Sequence, residues 1–401
     1  MSTIPRGFSA AHYYGSAFKG HKPVRLGLWV SAYPCSAAGI FTRNAVKAAP
    51  VLVSQKHLKN KKAQAILINS GCANAGTGTR GLNNARESAR LVGRCLNIPA
   101  TGVLLGSTGV IGTHLPMNAM RKGIHELCRT IGNKPHTQDR AFTAAATAIL
   151  TTDTHPKIAH AMIPVKNATI RIWACAKGAG MIAPDLATML SVFITDAGIT
   201  SSLLNRMLTK IIAPEFNMIM VDGDTSTNDT VYLCANSASG INIDRASAAV
   251  KKRFCNELGR MAKQLAGELV ADGEGAQHAI RVDVQKARNH TEAVSIARTI
   301  ASSPLVKTAV AGNDPNWGRV LAAVGRAGVP VNPMLIDIYF NGTRVCCHGQ
   351  ACSYNEKKLV ESLRKKQCTV RVVLNQGNHA VRCLTCDFTE EYVRINAEYR
   401  T

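Results

Sequence analysis

The chain has 401 residues, 46% of them hydrophobic and 18% charged, so it is long enough to bury a sizeable core in two or three modest domains. Its 48 lysines and arginines exceed its 25 aspartates and glutamates and give a net charge of +23. No apolar run reaches the roughly 18 residues that span a bilayer, and residues 1–8 lack the apolar core of a secretory signal, so we expect a cytoplasmic protein.

Hydrophobic periodicity predicts a mixed chain of the α/β or α+β class. Runs typical of strands lie at residues 65–68, 103–106, 168–175, 189–195, 217–221, 230–234, 305–310, 334–340 and 369–374. Patterns typical of helices lie at residues 82–96, 116–131, 140–150, 200–212, 244–271, 289–302 and 355–365. The sequence shows no Gly-Xaa-Gly-Xaa-Xaa-Gly fingerprint and no internal repeat, which disfavours a dinucleotide-binding fold or a solenoid.

Three of the predicted strands run into loops that are dense in small and polar residues. These loops lie at residues 69–78, 106–112 and 221–230. Glycine allows backbone N–H groups to come close to a substrate atom, so such loops are candidates for a site. Taken singly, they are more often ordinary turns.

A fourth segment carries a candidate nucleophile. Residues 177–190 read Lys-Gly-Ala-Gly-Met-Ile-Ala-Pro-Asp-Leu-Ala-Thr-Met-Leu, so a small residue, Ala187, directly precedes Thr188. A cut between these two residues would give Thr188 a hydroxyl nucleophile and a free amine as its base. The pKa of an α-amine, about 7.7–8.0, suits that role near neutrality. By itself the segment is more typical of a loop that enters a strand.

Together these segments resemble the ornithine acetyltransferase / glutamate N-acetyltransferase family of arginine biosynthesis. The matching segments follow the order found in the family and extend from about residue 38 to the last residue. They lie at residues 41–50, 69–78, 107–112, 151–154, 177–190, 221–230, 272–276, 314–319 and 392–401. The blocks at 177–190 and 221–230 are highly specific.

The resemblance implies that the chain cuts itself between Ala187 and Thr188, giving an α-chain of residues 1–187 and a β-chain of residues 188–401. It implies a layered α/β sandwich with a site of the N-terminal-nucleophile type between the two chains, and an α2β2 assembly. Thr188 would take the acetyl group from N-acetylornithine, and glutamate would accept it, in a ping-pong double displacement. No bound cofactor is implied, although bifunctional members also use acetyl-CoA as a co-substrate.

The resemblance also assigns the other site residues. Thr108 and Gly109 match the oxyanion positions, where a hydroxyl and a backbone N–H stabilise the charged oxygen of the transition state. The residues that match substrate-binding positions are Thr151, Lys177, Thr188, Glu274, Asn396 and Thr401. Because the substrate carries both charges, we assign Glu274 to its ammonium group, and Lys177 to a carboxylate or to local pKa control.

Each of these side chains also has a purely structural interpretation. Apart from the resemblance, Lys177 is typical of a strand end, Glu274 of a turn and Asn396 of a loop amide. We interpret the loops at 222–230 and 314–319 as scaffold around the site. The base for the self-cleavage stays open, because Thr188 has no free amine before the cut.

Two other functions compete with the acetyltransferase. A self-processing amidase or aminopeptidase with the same nucleophile would use water as the acceptor. The charge of +23 also raises the hypothesis of a nucleic-acid-binding protein without catalysis. The sequence disfavours nucleic acid, since it has neither zinc-finger spacing nor a basic stripe with interleaved aromatics. A basic field would equally attract acetyl-CoA or glutamate, which are anions.

The 13 cysteines allow a further expectation. An odd count without a secretory signal indicates reduced thiols. Cys383 and Cys386 form a Cys-Xaa-Xaa-Cys pair, and residues 346–352 hold three more cysteines and a histidine. The spacing is not that of a four-ligand zinc module, so we predict no metal site.

Overall fold

The computed structural model describes residues 2–15, 23–133, 139–183 and 189–398. Ala187, Thr188 and Thr401, to which the sequence assigns site roles, lie outside the described residues. The strands are β1 (Phe8–Tyr14), β2 (Arg25–Phe41), β3 (Lys62–Cys72), β4 (Val103–Val110), β5 (Lys157–Val165), β6 (Ala168–Lys177), β7 (Leu190–Thr195), β8 (Ile219–Met220), β9 (Thr230–Ala235), β10 (Ala279–Ala287), β11 (Asp337–Phe340), β12 (Thr343–Cys347), β13 (Gln350–Ala351), β14 (Gln367–Val373) and β15 (His379–Cys386).

Helices cover the faces of the sheets formed by these strands. They are α1 (Ala49–His57), α2 (Gly78–Leu96), α3 (Met117–Asn133), α4 (Asp139–Ala148), α5 (Ser201–Met207), α6 (Ala213–Phe216), α7 (Ala248–Ala271), α8 (His290–Ala301), α9 (Pro304–Ala311), α10 (Trp317–Gly325), α11 (Glu356–Leu363) and α12 (Glu390–Glu398). A π-helical turn, Leu208–Ile212, joins α5 to α6. This layered α/β sandwich is the fold class that the sequence predicts.

An eight-stranded sheet carries the elements that surround the predicted site. Its strands lie in the order β4-β3-β2-β9-β7-β6-β5, and β1 pairs with β2. The pairs β3–β4 and β7–β9 are parallel, whereas β7 is antiparallel to β6. Strands β7 and β9, which follow residue 188, are therefore inserted between strands that precede it.

A second sheet is built only from strands that follow residue 188. Its seven strands lie in the order β13-β12-β11-β14-β10-β15-β8. Helices α8 to α11 supply apolar side chains to the core on this sheet, including Ile296, Val310, Val324 and Leu359. The strongest helix contacts of this sheet are made by α8 with β15 and β10.

Helix α7 confirms the helical pattern predicted for residues 244–271. Its side chains at helical spacing, Phe254, Leu258, Met261, Leu265 and Leu269, are all buried. They share a core with residues of β5, β6, β7 and β9. The helix begins where the Ser247 side chain accepts a hydrogen bond from the Val250 amide.

The prediction of a strand at residues 305–310 is wrong. These residues form helix α9, which begins at Pro304 after the Ser303 side chain accepts a bond from the Val306 amide. A serine cap followed by proline in the first turn is a helix start signal, and here it prevails over the β-branched composition. The sequence analysis did not predict seven further strands, which are β1, β2, β5, β10, β12, β13 and β15.

The 13 cysteines are free thiols and mostly buried. Cys383 and Cys386 lie on one strand three residues apart, so their side chains leave opposite faces: Cys383 packs in the core of the second sheet and Cys386 in that of α7. Among the described residues no cluster of three or more His, Cys, Asp or Glu side chains is arranged to hold a metal ion. No helix within the described ranges has the length and apolarity to cross a membrane.

We predict that Phe193→Ala, in the middle of β7, lowers the free energy of unfolding by about 3–5 kcal/mol. Phe193 is fully buried, and its ring lies 6.3 Å from that of Phe216, so truncation leaves a cavity beneath α6. Chemical denaturation of purified protein measures the change. The control Leu305→Ala, whose side chain is 60% exposed, is expected to cost less than about 0.5 kcal/mol. Equal costs for the two variants would contradict the assignment of Phe193 to the core.

Candidate functional site

One cavity of about 180 Å³ brings together six of the residues that the sequence assigns to the site. They are Thr108, Gly109, Thr151, Lys177, Glu274 and Asn396. Met189 and Leu190, at the start of β7, also line this cavity. Residue 188 is therefore bonded directly to a residue of the cavity wall, although Ala187 and Thr188 themselves lie outside the described residues.

Thr108 and Gly109 are held in place by the parallel pairing of β4 with β3. In this register Thr108 lies opposite Ser70, and Gly109 lies opposite Gly71. Gly109 has φ of +122°, and a Cβ there would lie 2.4 Å from the carbonyl carbon of Gly71. Only glycine fits at this point, so a backbone N–H can approach the cavity without a side chain in its way.

Lys177 ends strand β6 and brings a buried positive charge to the cavity. The residue is only 5% exposed, and its Nζ donates to Thr151 Oγ1 at 2.8 Å and to Thr108 Oγ1 at 3.2 Å. Asp153 Oδ2 lies 3.4 Å from the same nitrogen. Since a buried ammonium is costly without a counter-charge, Asp153 is what permits Lys177 to sit here.

Asp153 in turn belongs to an alternating row of buried charges. Lys157 Nζ donates to Asp153 Oδ1 at 2.8 Å and also bonds the Asp272 carboxylate. Burial alone would raise the pKa of Asp153, but the Lys177 and Lys157 ammonium groups and the Gly178 amide reverse this and hold that pKa well below its usual range. The Asp153 carboxyl group is therefore ionised, and the row Lys177–Asp153–Lys157–Asp272 is electrically balanced.

Glu274 and Asn396 form another part of the cavity wall. Asn396 Nδ2 donates to Glu274 Oε2 at 2.9 Å, which joins α12 to the cavity. The Glu274 carboxylate also lies over Gly180, where a Cβ would come within 2.3 Å of Oε2. Helix α12 is held close because the Tyr392 backbone packs against Gly275 and Thr389 Oγ1 donates to the Gly275 carbonyl at 2.7 Å.

The loop before β9 supplies three further carboxyl groups to the cavity, those of Asp222, Asp224 and Asp229. Asp222 is used structurally, because its oxygens accept hydrogen bonds from the amides of Met181 and Ile182. Burial raises its pKa despite these donors. Asp229 is only 2% exposed, and in the described part of the chain its Oδ2 has no hydrogen-bond partner.

The sequence analysis did not single out Asp153, Lys157, Asp272 or Asp229. Asp153 and Asp272 belong to quoted segments, at residues 151–154 and 272–276, and Asp229 belongs to the loop that was interpreted as scaffold. A buried ion pair joins positions far apart in the chain, so no local pattern marks it. The one sequence signal that could have identified them is a carboxylate next to a matched site residue in the chain.

Comparison with known proteins gives one consistent result. The ArgJ family profile matches residues 11–401. The arginine biosynthesis bifunctional protein ArgJ of Thermotoga neapolitana is 40% identical over 404 residues, which cover 99% of this chain and 100% of that protein. The protein of the same name from Desulfotalea psychrophila is 43% identical over 377 residues, covering 94% of each chain.

A solved chain agrees with the sequence matches. The crystal structure of the arginine biosynthesis bifunctional protein argJ from Bacillus halodurans is similar at 37% identity and a TM-score of 0.50. It covers 53% of this chain and 100% of that chain. A family profile that spans almost the whole sequence, with relatives at about 40% identity over their full length, places the protein: it belongs to the ArgJ family.

Proposed function

We propose that this chain is an acetyltransferase of arginine biosynthesis that moves an acetyl group from N-acetyl-L-ornithine to L-glutamate through an ester on Thr188. The observation that carries the proposal is the composition of the cavity. The matched oxyanion pair, a buried lysine and a buried glutamate all face a space whose wall includes Met189, the neighbour of Thr188. Full-length relatives named for arginine biosynthesis support the pathway.

We propose further that the chain cuts itself between Ala187 and Thr188, so that residues 1–187 and 188–401 become separate chains. The Bacillus halodurans chain supports this, because all of it matches only 53% of the present sequence. Residues 188–401, which are 214 of 401, make up the same share. The interleaved strands β7 and β9 would keep the two products in one sheet, and two such pairs would form the α2β2 assembly.

The proposed transfer uses the freed amine of Thr188 as base. Thr188 Oγ attacks the acetyl carbonyl carbon, its proton passes to the α-amine and then to the departing amine of ornithine, and the acetyl group stays on Oγ. In the second half of the reaction the amine of glutamate attacks the acetyl ester, so the acetyl group moves to glutamate and the Thr188 hydroxyl is restored. The Thr108 hydroxyl and the Gly109 N–H would stabilise the oxyanion in both steps, and one such donor typically contributes about 3–4 kcal/mol.

Lys177 and Glu274 fit two different roles. The ammonium of Lys177 already contacts Thr151, Thr108 and Asp153, so its geometry favours the control of local charge over direct binding of a substrate carboxylate. By contrast, Glu274 has a single side-chain donor, Asn396, in the described part of the chain. It can therefore accept further bonds from the ammonium of ornithine, and Thr151, Asn396 and Thr401 would complete the binding site.

The remaining proposals concern co-substrate and location. The route above needs no bound cofactor. The relatives are named bifunctional, which supports a second reaction in which acetyl-CoA acetylates glutamate. We propose the cytoplasm as the site of action.

Intact-mass analysis tests the nucleophile. We expect wild-type protein to show two fragments and an added acetyl group on the β-chain after incubation with N-acetylornithine. Thr188→Ala is expected to remain one full-length chain without transfer, because the attacking oxygen is gone. Thr188→Ser should still cleave, more slowly. Two normal fragments from Thr188→Ala would contradict the assignment.

The acceptor distinguishes a transferase from a self-processing amidase. We expect ornithine to be released from N-acetylornithine mainly when glutamate is present, with one N-acetylglutamate formed for each ornithine. Chromatographic quantification of both amino acids and of free acetate measures this ratio. Acetate release at a rate independent of glutamate would show that water is the acceptor and would favour the hydrolase.

The charge of Glu274 is tested by Glu274→Gln, which keeps the shape of the side chain. Loss of a charged acceptor should raise KM for N-acetylornithine roughly 10- to 100-fold, with self-cleavage unaffected. Steady-state kinetics measure the change. The matched control is Glu257→Gln on α7, whose carboxylate pairs with Arg260 at the surface and should leave KM unchanged. An unaltered KM for Glu274→Gln would remove Glu274 from the binding site.

A further inference from the structure

Asp229 has a buried carboxyl group that the transfer reaction does not use. Its side chain lines the cavity and is 2% exposed, yet Oδ2 is buried with no hydrogen-bond partner among the described residues. A buried carboxyl oxygen without a partner destabilises a fold by about 1–3 kcal/mol. Native proteins keep few such groups, so each one calls for an explanation.

The position of Asp229 relates it to the bond that is proposed to break. Strands β7 and β9 run parallel with Leu190 opposite Thr230, and the Thr230 amide donates to the Met189 carbonyl at 2.9 Å. Asp229 therefore lies beside the residue that holds Met189. The peptide bond between Ala187 and Thr188 lies within two residues of Met189 along the chain. Because consecutive Cα atoms are about 3.8 Å apart, this bond is close to the contact between Met189 and Thr230.

The backbone around Asp229 is held firmly at that place. Asn228 Nδ2 donates to the carbonyls of Ala73 and Ser107, at 2.6 and 2.9 Å, and Ser107 directly precedes the oxyanion pair. The Asp229 carbonyl accepts a hydrogen bond from the Thr42 amide at 2.9 Å. The loop thus sets Asp229 at a constant position between the matched oxyanion residues and the start of β7.

The other carboxyl groups of the cavity are committed elsewhere. Asp222 accepts backbone amides, and Glu274 is bonded by Asn396. Asp224 is exposed to solvent. Asp229 is the one cavity carboxyl group in the described ranges that combines deep burial with an unpartnered oxygen.

Burial raises the pKa of Asp229 well above its usual range, although Ser226 and the Lys177 charge oppose this rise. A carboxylate whose pKa is raised is a stronger proton acceptor than an ordinary aspartate. Its unpartnered Oδ2 can accept a proton, and once protonated the group can donate that proton again.

We propose that the carboxyl group of Asp229 carries the protons during self-cleavage. This inference rests on the cleavage proposed above and supplies the base that the sequence left open. Thr188 Oγ forms a bond to the Ala187 carbonyl carbon, and the bond from that carbon to the Thr188 nitrogen breaks. The Asp229 carboxyl group accepts the hydroxyl proton and then gives this proton to the nitrogen, so Asp229 ends as it began. Water then hydrolyses the ester, which frees the Ala187 carboxyl group and restores the Thr188 hydroxyl.

The test follows the disappearance of full-length chain on denaturing gels after cell-free synthesis. Asp229→Asn keeps the size of the side chain but cannot relay a proton, so cleavage should slow by at least ~100-fold. The matched control is Asp196→Asn at the far end of β7, where burial also raises the pKa of a carboxyl group, and this variant should cleave at the wild-type rate. Wild-type chain that never cleaves would refute the proposed function itself. Asp229→Asn that cleaves like wild type would refute only the role of Asp229.

A structural defect is separated from a chemical one in two further arms. Thr188→Ala and the double variant Thr188→Ala/Asp229→Asn are both expected to remain uncut, so their melting temperatures can be compared directly. Equal melting temperatures for these two variants would show that Asp229→Asn leaves the fold intact. If the double variant melts lower, Asp229→Ala with added formate decides the question. Formate should restore cleavage to Asp229→Ala, by replacing the missing carboxyl group, and leave Thr188→Ala uncut. A lack of restoration there would overturn the proposal.

Discussion

The pairing of strand β7 on both sides is the constraint on which the site depends. Lys177 of β6 lies opposite Leu190, and Thr230 of β9 lies opposite the same residue from the other side. The first residues of β7 are therefore held by two ladders, and Met189 is bonded to Thr230 before the strand begins. Both ladders thus fix the positions of Met189 and Leu190 at the edge of the cavity.

Charge balance is the second constraint on the cavity. Lys177 and Lys157 are nearly or fully buried, and each would be costly without a counter-ion. In the row Lys177–Asp153–Lys157–Asp272 each ammonium group lies beside at least one carboxylate, so the four charges compensate one another. Removing any one member would leave an uncompensated charge beside the cavity, so this row is both a structural element and the means of holding an ammonium against Thr108.

Two further carboxyl groups of the cavity, Glu274 and Asp229, do not belong to this row of charges. Glu274 is held by an amide from α12, and Asp229 by the geometry of its own loop, and neither is paired with a cation through a salt bridge in the described residues. The cavity thus combines the ammonium of Lys177 with several carboxyl groups. The two carboxyl groups differ in their partners: Asn396 donates to Glu274, whereas Oδ2 of Asp229 has no hydrogen-bond partner among the described residues.

The sequence by itself determined the family and the fold class and predicted the segments of the site, because small residues before Thr188, the Ser-Thr-Gly loop and the tail at 392–401 are local patterns. It also predicted α7, whose buried residues repeat at helical spacing. It failed at α9, where a serine cap and a proline outweigh an apolar run. Only the tertiary structure decided that Lys177 is balanced by Asp153 and Lys157, and that Asp229 lies beside the start of β7. Those relations join residues from separate strands and loops, and no spacing along the chain encodes a distance across a sheet.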